Sequence, residues 1–320
     1  LVFHKPSAKP RRSPLNEVRL LIIRPGALGD TLLLAPALFQ LVGRAEVTLL
    51  GRKPGIDLLR PLVSRCLDYE KGGWHMLFSD EPECHKLPLP KLDRVVSFLT
   101  DSSGIAHRTL EICLKHTPIF PFPPFPRRRE RIHVASYLAS CLKESGLPVD
   151  PEEAMEAARK KGLLEKDAES GSKSMVVFHP GSGSRRKNEP PEFWTQLIGE
   201  KELRGFQKRV LLLGPAEEQL RELFLRHLAR MEVEIVASPD VEMLVSLLRD
   251  ATVFIGHDSG ITHLAALLGV TTIAIFRGSN PIQWAPLGPR VTVIAGSKSQ
   301  RGIYGEIRQR VKEIREFCLD

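Results

Sequence analysis

Short, continuous apolar runs alternate with longer amphipathic stretches along most of the chain. VRLLIIR (18–24), EVTLL (46–50) and LDRVVSFL (92–99) are such runs in the first half. SMVVFHP (174–180), KRVLLLG (208–214), VEIVAS (233–238), ATVFIGH (251–257) and VTTIAIF (270–276) are those of the second. A strand covered on both faces is apolar at nearly every position, so these runs predict buried parallel strands. Helical periodicity places helices near 30–43, 191–204, 216–230, 240–249 and 260–269, with further helix-prone segments at 132–146 and 151–169. Alternation of this kind predicts the α/β class with doubly wound parallel sheets.

The alternation breaks in the middle. Residues 118–131 are rich in proline and arginine, and SGSKS (170–174) reads as a linker. The expected organisation is therefore a basic arm over 1–17, one Rossmann-like domain over 18–168, a second over 169–303 and an amphipathic helix over 304–320. Ligands of open α/β sheets bind beyond the carboxyl ends of the strands. Two such domains facing each other would place those ends on both walls of one cleft, so chemistry should follow the strands.

Three loops fit that place. In RPGALGD (24–30), Gly26 and Gly29 permit a sharp turn, and Asp30 falls where strand gives way to helix. Asp30 is either a helix N-cap or a general base, and capping does not exclude catalysis. In FHPGSGSRRKNEPPEFW (178–194), Gly181, Ser182, Gly183 and Ser184 expose backbone N–H groups ahead of Arg185, Arg186 and Lys187. That combination suits a phosphate, although a mobile basic loop has the same composition. In ATVFIGHDSGITHLAALLGV (251–270), Asp258 or Ser259 can cap a helix whose first-turn N–H groups at Gly260, Ile261 and Thr262 form an anion site. His263 lies in the same turn.

Charge and composition narrow the partners. The 320 residues carry a net charge of +8, which suits nucleic acid, an anionic membrane or an anionic small substrate. No zinc-finger spacing, RNP aromatics or basic zipper is present, so nucleic acid is not an expected partner. PIFPFPPFP (118–126), beside Arg127, Arg128, Arg129 and Arg131, suggests a lipid-facing loop with transient contact to an anionic membrane surface. No run reaches the ~18–20 apolar residues that span a bilayer, and LVFHKPSAKPRRSP lacks the apolar core of a signal peptide. The expected place is the cytoplasm, peripheral at the inner face of its membrane. The five cysteines show no zinc spacing and are expected as reduced thiols. No D-x-D occurs to clamp a divalent ion, and no G-x-G-x-x-G to bind a dinucleotide.

Taken together, IIRPGALGDTLLLAPAL (22–38), FHPGSGSRRKNEPPEFW (178–194) and GHDSGITHLAALLGVTTIAIF (256–276) resemble glycosyltransferase family 9, the ADP-heptose:lipopolysaccharide heptosyltransferases. SNPIQWAPLG (279–288) and RIHVASYLASCLKESGLP (131–148) extend the likeness over nearly the whole chain after residue 17. The resemblance implies a GT-B architecture, with the acceptor on the first domain, the nucleotide-sugar on the second and the last helix returning to the first. It implies inverting, metal-independent transfer from ADP-heptose to a lipopolysaccharide-core or other lipid-linked acceptor, with no cofactor. Asp30 would be the base and Lys187 the cation on the leaving diphosphate. Ser182, Gly183, Asp258, Ser259, Gly260, Ile261, Thr262 and His263 would line the donor site, with Glu217 or Glu218 near the ribose. The alternatives are a GT-B transferase using another nucleotide sugar, such as a UDP-sugar, and a non-catalytic nucleotide-sugar-binding homologue. Intact Asp30, Lys187 and HDSG favour an enzyme.

Overall fold

The computed structural model describes residues 18–79, 81–164, 174–296 and 299–318. The expected basic arm and nearly all of the SGSKS linker lie outside these residues. The chain divides into two units between Ala157 and Ala158, ahead of the expected boundary at 168/169. The reason is local. The Leu164 N–H bonds to the Leu267 carbonyl at 2.9 Å, and Gly162 packs so closely on the Gly269 backbone that a Cβ would sit 2.6 Å from its nitrogen. The stretch before the linker therefore already belongs to the second unit.

Among the described residues the first unit holds five strands: β1 (Val18–Arg24), β2 (Ala45–Gly51), β3 (Arg65–Asp68), β4 (Arg94–Ser97) and β5 (Ile119–Pro121), in the order β3-β2-β1-β4-β5. The second holds six: β6 (Met175–His179), β7 (Lys208–Leu213), β8 (Glu234–Ala237), β9 (Val253–His257), β10 (Thr271–Phe276) and β11 (Val291–Ala295), in the order β11-β10-β9-β6-β7-β8. Every pairing is parallel, as the apolar runs require. Leu20–Ile23 and Val176–Phe178 are fully buried at the two sheet centres. The strands the apolar pattern misses are β3, β5 and β11. All three are edge strands with few fully buried positions, so burial does not demand an unbroken apolar run there.

In each sheet the winding reverses beside the first strand: β1 lies between β2 and β4, and β6 between β7 and β9. A crevice opens at such a switch point because neighbouring connections leave on opposite faces. The loops after β1 and β4 flank one crevice, and those after β6 and β9 flank the other.

Two expectations change. The helix expected over 30–43 is two helices, Leu28–Leu32 and Ala35–Leu41, because Pro36 brings no N–H to a continuous ladder. The last helix, Gln300–Cys318, packs into the second unit: Ile303, Ile307 and Val311 sit in its core, and the Tyr304 ring stacks on Phe193 at 4.6 Å. The cysteines are not all thiols. Cys84 and Cys113 form a disulfide, with Cα atoms 5.0 Å apart across 29 residues, while Cys66 and Cys141 are free. The pair is brought together only by the fold, so spacing could not reveal it. Among the described residues no helix is long and apolar enough to cross a membrane.

Candidate active site

In the first unit, Asp30 is not the N-cap. Ala27 holds that position, with extended φ and ψ, and Asp30 is the third residue of helix Leu28–Leu32. Its Oδ2 reaches back to accept the Ala27 N–H at 3.1 Å, satisfying one donor that a helix start leaves orphaned. Gly26 permits this: a Cβ there would lie 2.7 Å from Asp30 Cβ. Gly29 lies inside the helix, its carbonyl accepting the Leu33 N–H at 3.1 Å. The carboxylate is half-buried at the carboxyl end of β1.

In the second unit the loop after β6 curls around Ser182. Its hydroxyl lies 2.9 Å from the Ser184 carbonyl and 2.6 Å from Asn188 Oδ1, and it accepts the Ser184 N–H at 3.2 Å. Gly183 is exposed with open space on its Cβ side, so its backbone is accessible. The following 3-10 turn, Arg185–Lys187, sends its three cations different ways. Lys187 Nζ donates to Asp258 Oδ2 at 3.0 Å. Arg185 acts electrostatically on Glu217. Arg186 lines an open cavity beyond β10 with Glu189, Arg277 and Ser279.

Asp258 is 8 % exposed in the turn after β9. Besides Lys187 it accepts a hydrogen bond from the Ser279 hydroxyl, and His263 Nε2 lies 3.9 Å from its other oxygen. Ser259, not Asp258, caps helix Gly260–Leu267, accepting the Thr262 N–H at 3.3 Å. The Thr262 hydroxyl donates to the His257 carbonyl, locking the turn. The first intrahelical bond runs from His263 N–H to Ser259, so the N–H groups of Gly260 and Ile261 stand at the helix start, where an intrahelical partner does not exist and an anion could be accommodated. Thr262 thus closes the turn rather than offering its N–H to a ligand.

Glu217 and Glu218 separate by environment. Glu217 is buried, accepts the Gly214 N–H at 3.1 Å and backs onto Gly181, where any Cβ would collide with its carboxylate. Burial pushes the Glu217 carboxyl up, against the Gly214 hydrogen bond and Arg185. Glu218 is exposed and accepts from the Ser238 hydroxyl at 3.3 Å.

Three buried groups add support. Burial lowers His257 to about 3, and its Nε2 accepts the Glu189 N–H at 2.9 Å. Burial likewise lowers His179 to about 4, and its Nδ1 lies 2.9 Å from the Leu212 carbonyl. Both rings are neutral at neutral pH: His179 ties β6 to β7, and His257 ties the end of β9 to the loop after β6. Glu189 is held by Arg277 at 2.8 Å and by Gln300 at 3.0 Å. The sequence reading missed Ser279, Glu189 and Arg277, although Ser279 opens the quoted SNPIQWAPLG. Among the described residues no group of three or more His, Cys, Asp or Glu side chains could hold a metal ion.

Comparison with known proteins bears on the fold and the family. The chain is 24% identical over 154 residues to lipooligosaccharide heptosyltransferase 2 of Haemophilus influenzae, a stretch covering 46% of this chain and 43% of that protein. The chain thus matches less than half the length of that relative. Its fold is similar to that of the E. coli heptosyltransferase WaaC with ADP, at a TM-score of 0.67 and 18% identity, covering 92% of this chain and 99% of that one. It is also similar to a family 9 glycosyltransferase from Veillonella parvula, at a TM-score of 0.68 and 18% identity, covering 96% and 98%. The profile of glycosyltransferase family 9 (heptosyltransferase) matches residues 125–312, more than half of the chain, so the chain belongs to that family.

Proposed function

We propose that the protein transfers heptose from ADP-heptose to a lipopolysaccharide-core or other lipid-linked acceptor, with inversion and without a metal. The observation that carries this reading is the pairing of Lys187 with Asp258 beside the open N–H groups of Gly260 and Ile261, at the switch point of the second sheet. Cations and a helix end at that position suit a diphosphate. The names of the relatives support the donor: one fold relative is described with ADP, and another structure of the same enzyme with ADP-2-deoxy-2-fluoro heptose.

The chemistry is a single displacement. The acceptor hydroxyl gives its proton to the Asp30 carboxylate as its oxygen bonds to the anomeric carbon. The bond from that carbon to the diphosphate oxygen breaks, and ADP leaves with the electron pair. A positioned carboxylate contributes ~10²–10⁴-fold as general base. Negative charge growing on the diphosphate is met by Lys187 Nζ and the N–H groups of Gly260 and Ile261, fixed donors that need no reorganisation. Asp258 aims Lys187 and is itself held by Ser279. Glu217, in its Gly181 cradle, faces the ribose. Arg127, Arg128 and Arg129 are exposed and would meet an anionic lipid surface at the cytoplasmic face.

A thermal-shift panel of ADP-, UDP-, GDP- and CMP-sugars tests the donor. The expected result is stabilisation by ADP-heptose and ADP. Stabilisation by uridine compounds alone would overturn the reading.

A further inference from the structure

Arg24, the last residue of β1, is 1 % exposed, an unusual burial for a guanidinium. Its Nε donates to the backbone carbonyl of Asp30 at 2.8 Å, and its Nη1 to the carbonyl of Pro124 at 2.8 Å. The guanidinium carbon lies 5.4 Å from the centre of the Phe98 ring and 5.2 Å from that of Phe125. Nη2 is buried with no hydrogen-bond partner among the described residues.

These contacts explain the proline-rich string. Phe122 stacks on Phe98 at 6.1 Å, its N–H bonds to Ser97 at 2.8 Å, and the Tyr137 hydroxyl donates to the Pro123 carbonyl at 2.9 Å. The prolines supply carbonyls without competing N–H groups, and the phenylalanines supply π faces. The segment is built to wall in one cation next to Asp30.

A buried charge costs several kcal/mol unless something compensates it. Packing or carbonyl bonding alone could be done by a neutral residue. Arg24 keeps its charge under that penalty: burial lowers it to about 10, still protonated at neutral pH, and the nearby Asp30 charge offsets part of the cost. We propose that Arg24 is the positioning residue for Asp30, fixing the turn that carries the carboxylate and holding that carboxylate in its proton-accepting, ionised form. The proposal rests on the reading of Asp30 as the base.

Other groups around the pair must be separated from it. Tyr137 and Cys141, on helix Val134–Glu144, both act electrostatically on Arg24. Burial pushes Tyr137 far up and Cys141 to about 11, so neither titrates in the acid range. Glu130 accepts the Arg127 N–H at 3.0 Å and acts electrostatically on Tyr137, so it is the carboxylate whose signal has to be told apart from that of Asp30.

The test is a carboxyl ¹³C titration of the full chain labelled at aspartate and glutamate, with the Asp30 signal assigned by its loss in Asp30→Asn. Arg24→Met should move the Asp30 midpoint up by about one pH unit. Arg24→Lys should keep the wild-type midpoint, since it restores the charge, while losing the fork to two carbonyls and lowering kcat for transfer from ADP-heptose. Glu130→Gln should leave the midpoint in place. An unmoved midpoint in Arg24→Met, or a midpoint that follows Glu130→Gln, overturns the proposal. Should Arg24→Met fail to fold, Arg24→Lys decides: wild-type kcat overturns the proposal, and a lowered kcat with an unmoved midpoint upholds it. Full turnover by Asp30→Asn would instead remove the base reading, a failure separate from that of the titration.

Discussion

The two units share one winding and differ in the charge they bury at it. In the first, the strand beside the switch point ends in a buried arginine, and the loop beyond it presents a carboxylate. In the second, the strands end in neutral buried histidines, and the loops present cations and a helix end around a buried aspartate. The sheet order sets where chemistry can sit, and the loop residues set its sign. A carboxylate backed by a cation suits taking a proton. A lysine and free N–H groups backed by a carboxylate suit holding a diphosphate. The division predicts that binding and turnover respond to different residues.

The sharpest break between the units should come from Asp30→Asn. Turnover should fall ~10²–10⁴-fold, while calorimetry finds ADP affinity unchanged. Lys187→Ala should differ by weakening binding as well as turnover. Losing a charge-assisted contact worth ~1.5–3 kcal/mol should weaken ADP binding ~10–100-fold by the same titration. Ser279→Ala, which frees Asp258 on one side, should weaken ADP binding only a few-fold, about as a neutral hydrogen bond would. The smallest effect concerns pH. His179 and His257 are neutral in the fold, with pKa values of about 4 and about 3, and rise to ~6.5 on unfolding. The unfolded chain therefore binds more protons below ~6.5, so stability present above that pH is lost as pH falls through 4 and 3. The melting temperature should decline over that window, and His257→Gln should flatten the decline by a few degrees.

The same contrast explains what could be read from the chain. Strands such as VVFH and FIGH are buried on both faces, so their identity is written as unbroken apolar runs. β3 and β5 lie at an edge, and nothing forces that pattern on them. The HDSG turn was legible because its capping chemistry is local: Ser259 and Thr262 are three residues apart. Lys187 could be named but not separated from Arg185 and Arg186, because its partner, Asp258, lies 71 residues on. Arg24 was hidden for the same reason, its Pro124 contact spanning 100 residues. Local capping and burial are written in the sequence, whereas contacts across the sheet emerge only in the fold.

If Asp30 removes a proton rather than bonding to the sugar, transfer is one displacement at the anomeric carbon. The most direct test is the anomeric configuration of the product formed from ADP-heptose, read by NMR on the purified glycoside. The configuration should be opposite to that of the donor. Retention would require a covalent or paired intermediate and would contradict the role of Asp30 as a base.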